Sequence, residues 1–95
     1  MKAYLIVTLT IHDASMFTEY RKLVGGTAQP FGGQFLAAGG KATMLDGQWE
    51  HPSTVIVEFP SRDSAQRWYE SAAYREIIGL RLNSTSSTMV ILDGI

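Results

Sequence analysis

The chain has 95 residues, 45% of them hydrophobic, a formal net charge of −1 and no cysteine. That length suits a single domain, 1–95, with an ordinary core, and the missing cysteine excludes disulfides, thiolate chemistry and thiolate-held zinc. The eight Lys and Arg are scattered rather than gathered in a stripe, which argues against a nucleic-acid partner.

Residues 2–11, "KAYLIVTLTI", are rich in β-branched and aromatic side chains and predict a strand. The run is too short to span a bilayer, so no membrane partner is expected. Lack of cysteine fits a cytoplasmic location. Ala3, Leu5, Val7, Leu9 and Ile11 make one apolar face, and Lys2, Tyr4, Ile6, Thr8 and Thr10 a mixed one. Such a strand suits a sheet covered by helices on one side, its mixed face meeting water or a partner.

Residues 12–26 predict a helix capped by Asp13 or Ser15 and ended by Gly25-Gly26. Met16, Phe17, Tyr20, Leu23 and Val24 form its inner stripe, with Thr18, Glu19, Arg21 and Lys22 outside. Residues 32–54 predict a strand bent or bulged at Gly39-Gly40, a turn at Asp46-Gly47 and a stop at Pro52. In "TVIVEF", 54–59, Val55, Val57 and Phe59 face one way and Thr54, Ile56 and Glu58 the other. Ser61 then caps a helix, with Asp63 in its first turn. Ala65, Trp68, Tyr69 and Ala72 recur at a spacing that points them at the sheet. Residues 74–81 continue as a short helix kinked around Ala73, and 86–95 form the last strand. The order β-α-β-β-α-β is the ferredoxin-like pattern of an α+β protein, a four-stranded antiparallel sheet with helices on one face.

No metal spacing joins His12 and His51, and neither a Walker loop nor a dinucleotide fingerprint is present, so neither metal nor organic cofactor is expected. Arg81 shares a helical face with Tyr74, Ile77 and Ile78, an unusual place for a guanidinium. It either pairs with Glu58 or Asp46, snorkels to water, or anchors an anionic ligand. Trp68 and Tyr69 read first as core fillers, yet with Tyr20 and Tyr74 their polar tips could converge on one cavity. Glu58 is a solvated or paired strand residue or a general base. His51, beside Pro52, is a loop residue or an acid–base group. The candidate ligand pocket is therefore Tyr20, His51, Glu58, Trp68, Tyr69, Tyr74 and Arg81, and no catalytic role is assigned.

"GGQFLAAGG", "VIVEFPSRDSAQRWYESAAY" and "IIGLR" resemble the domain-of-unknown-function 1330 family of small bacterial proteins, a likeness running over almost the whole chain. The matching positions are Tyr20, Phe35, Gly39, Gly40, Glu58, Phe59, Pro60, Trp68, Tyr69, Ser71, Tyr74 and Arg81. One departure is "KATMLD", 41–46, where relatives often carry a glutamate that only Asp46 could replace. The resemblance implies a homodimer closing a dimeric α/β barrel, an architecture that hosts cofactor-free monooxygenases, isomerases, haem-degrading enzymes and simple binding proteins. Two functions are expected: a small-molecule enzyme of the monooxygenase or isomerase kind acting on an aromatic or acidic metabolite, and a ligand-binding, sensing or structural module without catalysis.

Overall fold

The computed structural model describes all residues, 1–95. Its elements run β1 (Ala3–Ile11), α1 (Ala14–Ala28), β2 (Gln34–Ala38), β3 (Ser53–Phe59), α2 (Arg62–Glu70), α3 (Ala72–Leu82) and β4 (Thr85–Asp93), with a 3-10 turn at Gln29–Phe31. The antiparallel sheet has the order β2-β3-β1-β4. This is the ferredoxin-like α+β fold, and it agrees with the expected element order.

Alternation along β1 decides the layers. Ala3, Leu5, Val7 and Leu9 are buried under the helices, where they meet Phe59 and Val57 of β3 and Trp68, Tyr74 and Ile77 of the helical layer in one apolar cluster. The opposite face stays open. Ile6 is flanked there by Ile56 and Val90, Tyr4 by Glu58 and Leu92, and Thr8 by Thr54 and Thr88. Val90 and Leu92 remain about half exposed.

Three boundaries differ from the expectations above. The first helix starts on Asp13, whose carboxylate accepts from Met16 N–H at 3.1 Å, but it runs through Gly25-Gly26 to Ala28. Tertiary contact overrides the glycines: Ala28 is buried, and its carbonyl accepts from Gly33 N–H at 3.1 Å. The strand predicted over 32–54 shrinks to β2, 34–38, and its irregularity lies between Phe35 and Ala37 rather than at the glycine pair. The kink expected at Ala73 falls at Ser71, whose extended backbone ends α2 while its hydroxyl caps α3 through Tyr74 N–H.

Candidate functional site

The principal neighbour of α1 is α3, and between α1 and the sheet opens a cavity of about 430 Å³. That volume lies within the range of small-molecule sites, about 300–1,000 Å³. Its floor is Leu5, Val7, Leu9, Val55 and Val57; Trp68, Phe59 and Met89 help close it. The β2 irregularity supplies one wall. In a regular strand Phe35 and Ala38, three apart, would face opposite ways; the register shift lets both line the cavity. Gly39, at φ +79°, then turns the chain away.

On α1 the lining residues are Phe17, Tyr20, Arg21, Val24, Gly25 and Ala28, the i, i+3, i+4, i+7, i+8, i+11 stripe of one helical face. Two expectations for α1 are corrected. Arg21, expected outside, lines the cavity, while Leu23, expected inside, is 47% exposed. A β-carbon on Gly25 would meet no atom within 4 Å, so this position keeps the opening clear.

Arg81 carries the polarity. It is only 4% exposed and lines the cavity from α3. Its Nε donates to Tyr74 Oη at 3.1 Å and its Nη1 to Ser87 Oγ at 2.7 Å, and the guanidinium also acts on the Tyr20 hydroxyl through charge and hydrogen bonding. It forms no ion pair with Glu58 or Asp46, the acids proposed from the sequence, nor with any other. A buried guanidinium without a carboxylate is costly unless an anion joins it.

Hydrogen-bond direction follows from this. Tyr74 is fully buried, accepts from Arg81, and has Tyr20 Oη at 2.9 Å as its remaining neighbour. An orphaned buried O–H costs about 1–3 kcal/mol, so Tyr74 donates to Tyr20. The Tyr20 hydroxyl then accepts from Tyr74 and keeps its own proton to donate, and Tyr20 lines the cavity. Burial, reinforced by Tyr74, pushes the Tyr20 pKa well above the ordinary tyrosine value. Tyr20 is thus a neutral donor at physiological pH, not a base. An unfolded tyrosine ionises near pH 10 and the folded Tyr20 above it, so this contribution is full below about pH 10 and is lost as pH rises, by up to about 1.4 kcal/mol per unit. Urea midpoints from pH 9 to 11 should fall less steeply in Tyr20→Phe than in the parent.

The other expected residues divide. Trp68 lines the cavity, with its indole N–H donated to Thr27 Oγ1 at 3.0 Å. Tyr69 stands behind it, half-buried, with the Arg75 guanidinium 4.3 Å from its ring centroid. Glu58 and His51 are not brought in. Glu58 lies on the open sheet face, 2.9 Å from Lys2 Nζ, and that contact raises the lysine pKa through hydrogen bonding and charge. His51 sits 2.9 Å from Thr10 Oγ1, also on the open face. Asp46 is exposed in the loop. No Asp, Glu or His lines the cavity, and no three such side chains converge anywhere on the chain. No helix is long and apolar enough to cross a membrane.

These features define a ferredoxin-like α+β protein with a helix–sheet cavity, apolar in body and cationic at its buried end. The chain matches the model of the domain of unknown function DUF1330 over residues 2–95 and belongs to that family. No curated protein matches it. Among solved structures it is similar to the RPA0582 protein of unknown function from Rhodopseudomonas palustris, at 18% identity and TM-score 0.82, covering 99% of this chain and 82% of that one. It is also similar to a dimeric ferredoxin-like protein of unknown function from Jannaschia sp. CCS1, at 13% identity and TM-score 0.73, covering 99% and 100%. SnoaB, a cofactor-independent oxygenase from Streptomyces nogalater, is similar at 14% identity and TM-score 0.69, covering 99% and 93%. Likeness at these identities concerns the fold alone.

Proposed function

We propose that the protein binds a small aromatic or acidic metabolite in the helix–sheet cavity, with an oxyanion of the ligand on Arg81 and the Tyr20 hydroxyl. The observation that carries this reading is the buried Arg81, which has no acid partner and lines a mostly apolar cavity. Aromatic walls accept the ligand's body, and the guanidinium and phenol accept its charge. The chemistry such a site offers is stabilisation of an enolate or phenolate by donors already in place. That anion is the intermediate shared by isomerisation and cofactor-free monooxygenation, and the fold likeness to SnoaB supports this direction.

A second reading, binding or sensing without turnover, is favoured by the lack of any Asp, Glu or His on the cavity wall. With no resident base, a substrate must arrive already ionised or lose its proton to water. The homodimer belongs to the same proposal. Ile6, Ile56, Val90 and Leu92 leave an apolar strip on the open face, and a second copy would cover it by twofold symmetry. The dimeric Jannaschia protein supports that arrangement, and sedimentation should return twice the chain mass.

A thermal-shift screen of aromatic acids, phenols and enols, run on the parent and on Gly25→Leu, tests the site. A β-carbon at Gly25 has open space around it, so a side chain can be added there. Ligands should raise the Tm of the parent and lose that effect in the variant. Equal shifts in both would place binding elsewhere and remove the cavity reading. Oxygen uptake or spectral change with the hits then separates turnover from binding alone.

A further inference from the structure

The chain has eight Lys and Arg, and four of them have acid partners: Lys2 with Glu58, Lys22 with Glu19, Arg62 with Asp93 and Arg67 with Asp63. Of the four without one, Arg75 stacks on Tyr69, Lys41 lies in the exposed loop, and the remaining two, Arg21 and Arg81, both line the same cavity. No carboxylate shares that wall. Arg81 is buried, whereas Arg21 is exposed to solvent. Arg21 also sits within the cavity-facing stripe of α1, one turn before Gly25.

We infer that the cavity is built for a two-headed anion, an aromatic or unsaturated dicarboxylate-class ligand with one oxyanion on Arg81 and Tyr20 and the second on the Arg21 guanidinium. This rests on the cavity being the ligand site. Between the two cations the wall is apolar, so the ligand's middle is a flat hydrocarbon body rather than a sugar or polyol. Each guanidinium offers a planar fork that matches a carboxylate in two hydrogen bonds. The two heads differ in strength because Arg81 is buried and Arg21 exposed: Arg81 supplies most of the affinity, and Arg21 supplies selectivity for the doubly charged ligand.

The test uses benzoate against isophthalate and terephthalate, titrated by calorimetry at low and high salt on the parent, Arg21→Gln, Lys22→Gln and Lys41→Gln. In the parent at low salt a dicarboxylate should bind about two- to fivefold more tightly than benzoate, the advantage shrinking as salt screens the outer pair. Arg21→Gln should reduce the dicarboxylate to the affinity of benzoate, while Lys22→Gln and Lys41→Gln keep the advantage. If benzoate binds and neither dicarboxylate binds more tightly, or if the advantage survives Arg21→Gln or disappears with Lys41→Gln, the two-headed ligand is wrong and the cavity reading stands. If none of the three compounds saturates the parent, both fail.

Discussion

Arg81→Met should fold, keep its stability within about 1 kcal/mol of the parent, and lose anion binding by about 30-fold or more. The two halves of this result have different causes. Methionine keeps an unbranched apolar stem in the space beneath α3 and removes a charge that has no carboxylate to offset its burial. Replacing such charges by apolar groups of similar shape is often neutral or stabilising. The cost is two hydrogen bonds, to Tyr74 and Ser87, each with a net worth of about 1.5–3 kcal/mol to a charged donor, and the several kcal/mol that burying an unpaired guanidinium costs offsets them. Tyr74 can still donate to Tyr20, so neither phenol is stranded. Removing the charged partner of a bound anion costs about 2–5 kcal/mol, a factor of roughly 30 to several thousand. Arg81→Ala tells the contributions apart: it loses the charge and opens a void as well, so it should be less stable than Arg81→Met while binding equally poorly. Urea denaturation and calorimetry on the pair measure both. Retained anion binding in Arg81→Met would remove the anchor.

Arg81 could be singled out from sequence because a cation on an apolar helical stripe contradicts its surroundings. Its partners could not. Glu58 lies on β3, yet strand alternation puts it on the far side of the sheet, where it meets Lys2. That outcome was already present in the pattern Val55, Val57, Phe59 against Thr54, Ile56, Glu58. His51 follows a loop without periodicity, and only coordinates show it reaching Thr10 on the open face. Arg21 was missed for a different reason. It lies four after Phe17 and four before Gly25, squarely on the stripe, but a long charged side chain is by habit assigned to solvent. The signal that could have found it is the glycine one turn further on. A helix tolerates Gly25-Gly26 at about 1 kcal/mol per residue relative to alanine, and reading the pair as a stop hid the question of what the open space serves. The β-α-β-β-α-β order was legible because period-2 and period-3.6 patterns are local. The cavity was not, since it depends on α1 leaning on α3 instead of the sheet.

Trp68→Ala should be the most destabilising single change at the site, by about 3–5 kcal/mol. Trp68 is 1% exposed, its ring centroid 4.2 Å from that of Tyr74 and 5.7 Å from that of Phe59. For a domain of this size each kcal/mol moves the Tm by about 4–8 °C, so the drop should exceed roughly 12 °C. Total stabilities of about 5–15 kcal/mol leave little margin for such a loss. If Trp68 served only to stack on a ligand, the unliganded variant would melt near the parent; that outcome would detach it from the core. The indole N–H deserves its own experiment, because its bond to Thr27 Oγ1 ties α2 to the end of α1, where Thr27 also donates to the Val24 carbonyl. In a double-mutant cycle of Trp68→Phe and Thr27→Val the coupling should be about 0.5–1.5 kcal/mol. It should be the same with and without an aromatic acid present, since the bond belongs to the wall of the cavity and not to its contents.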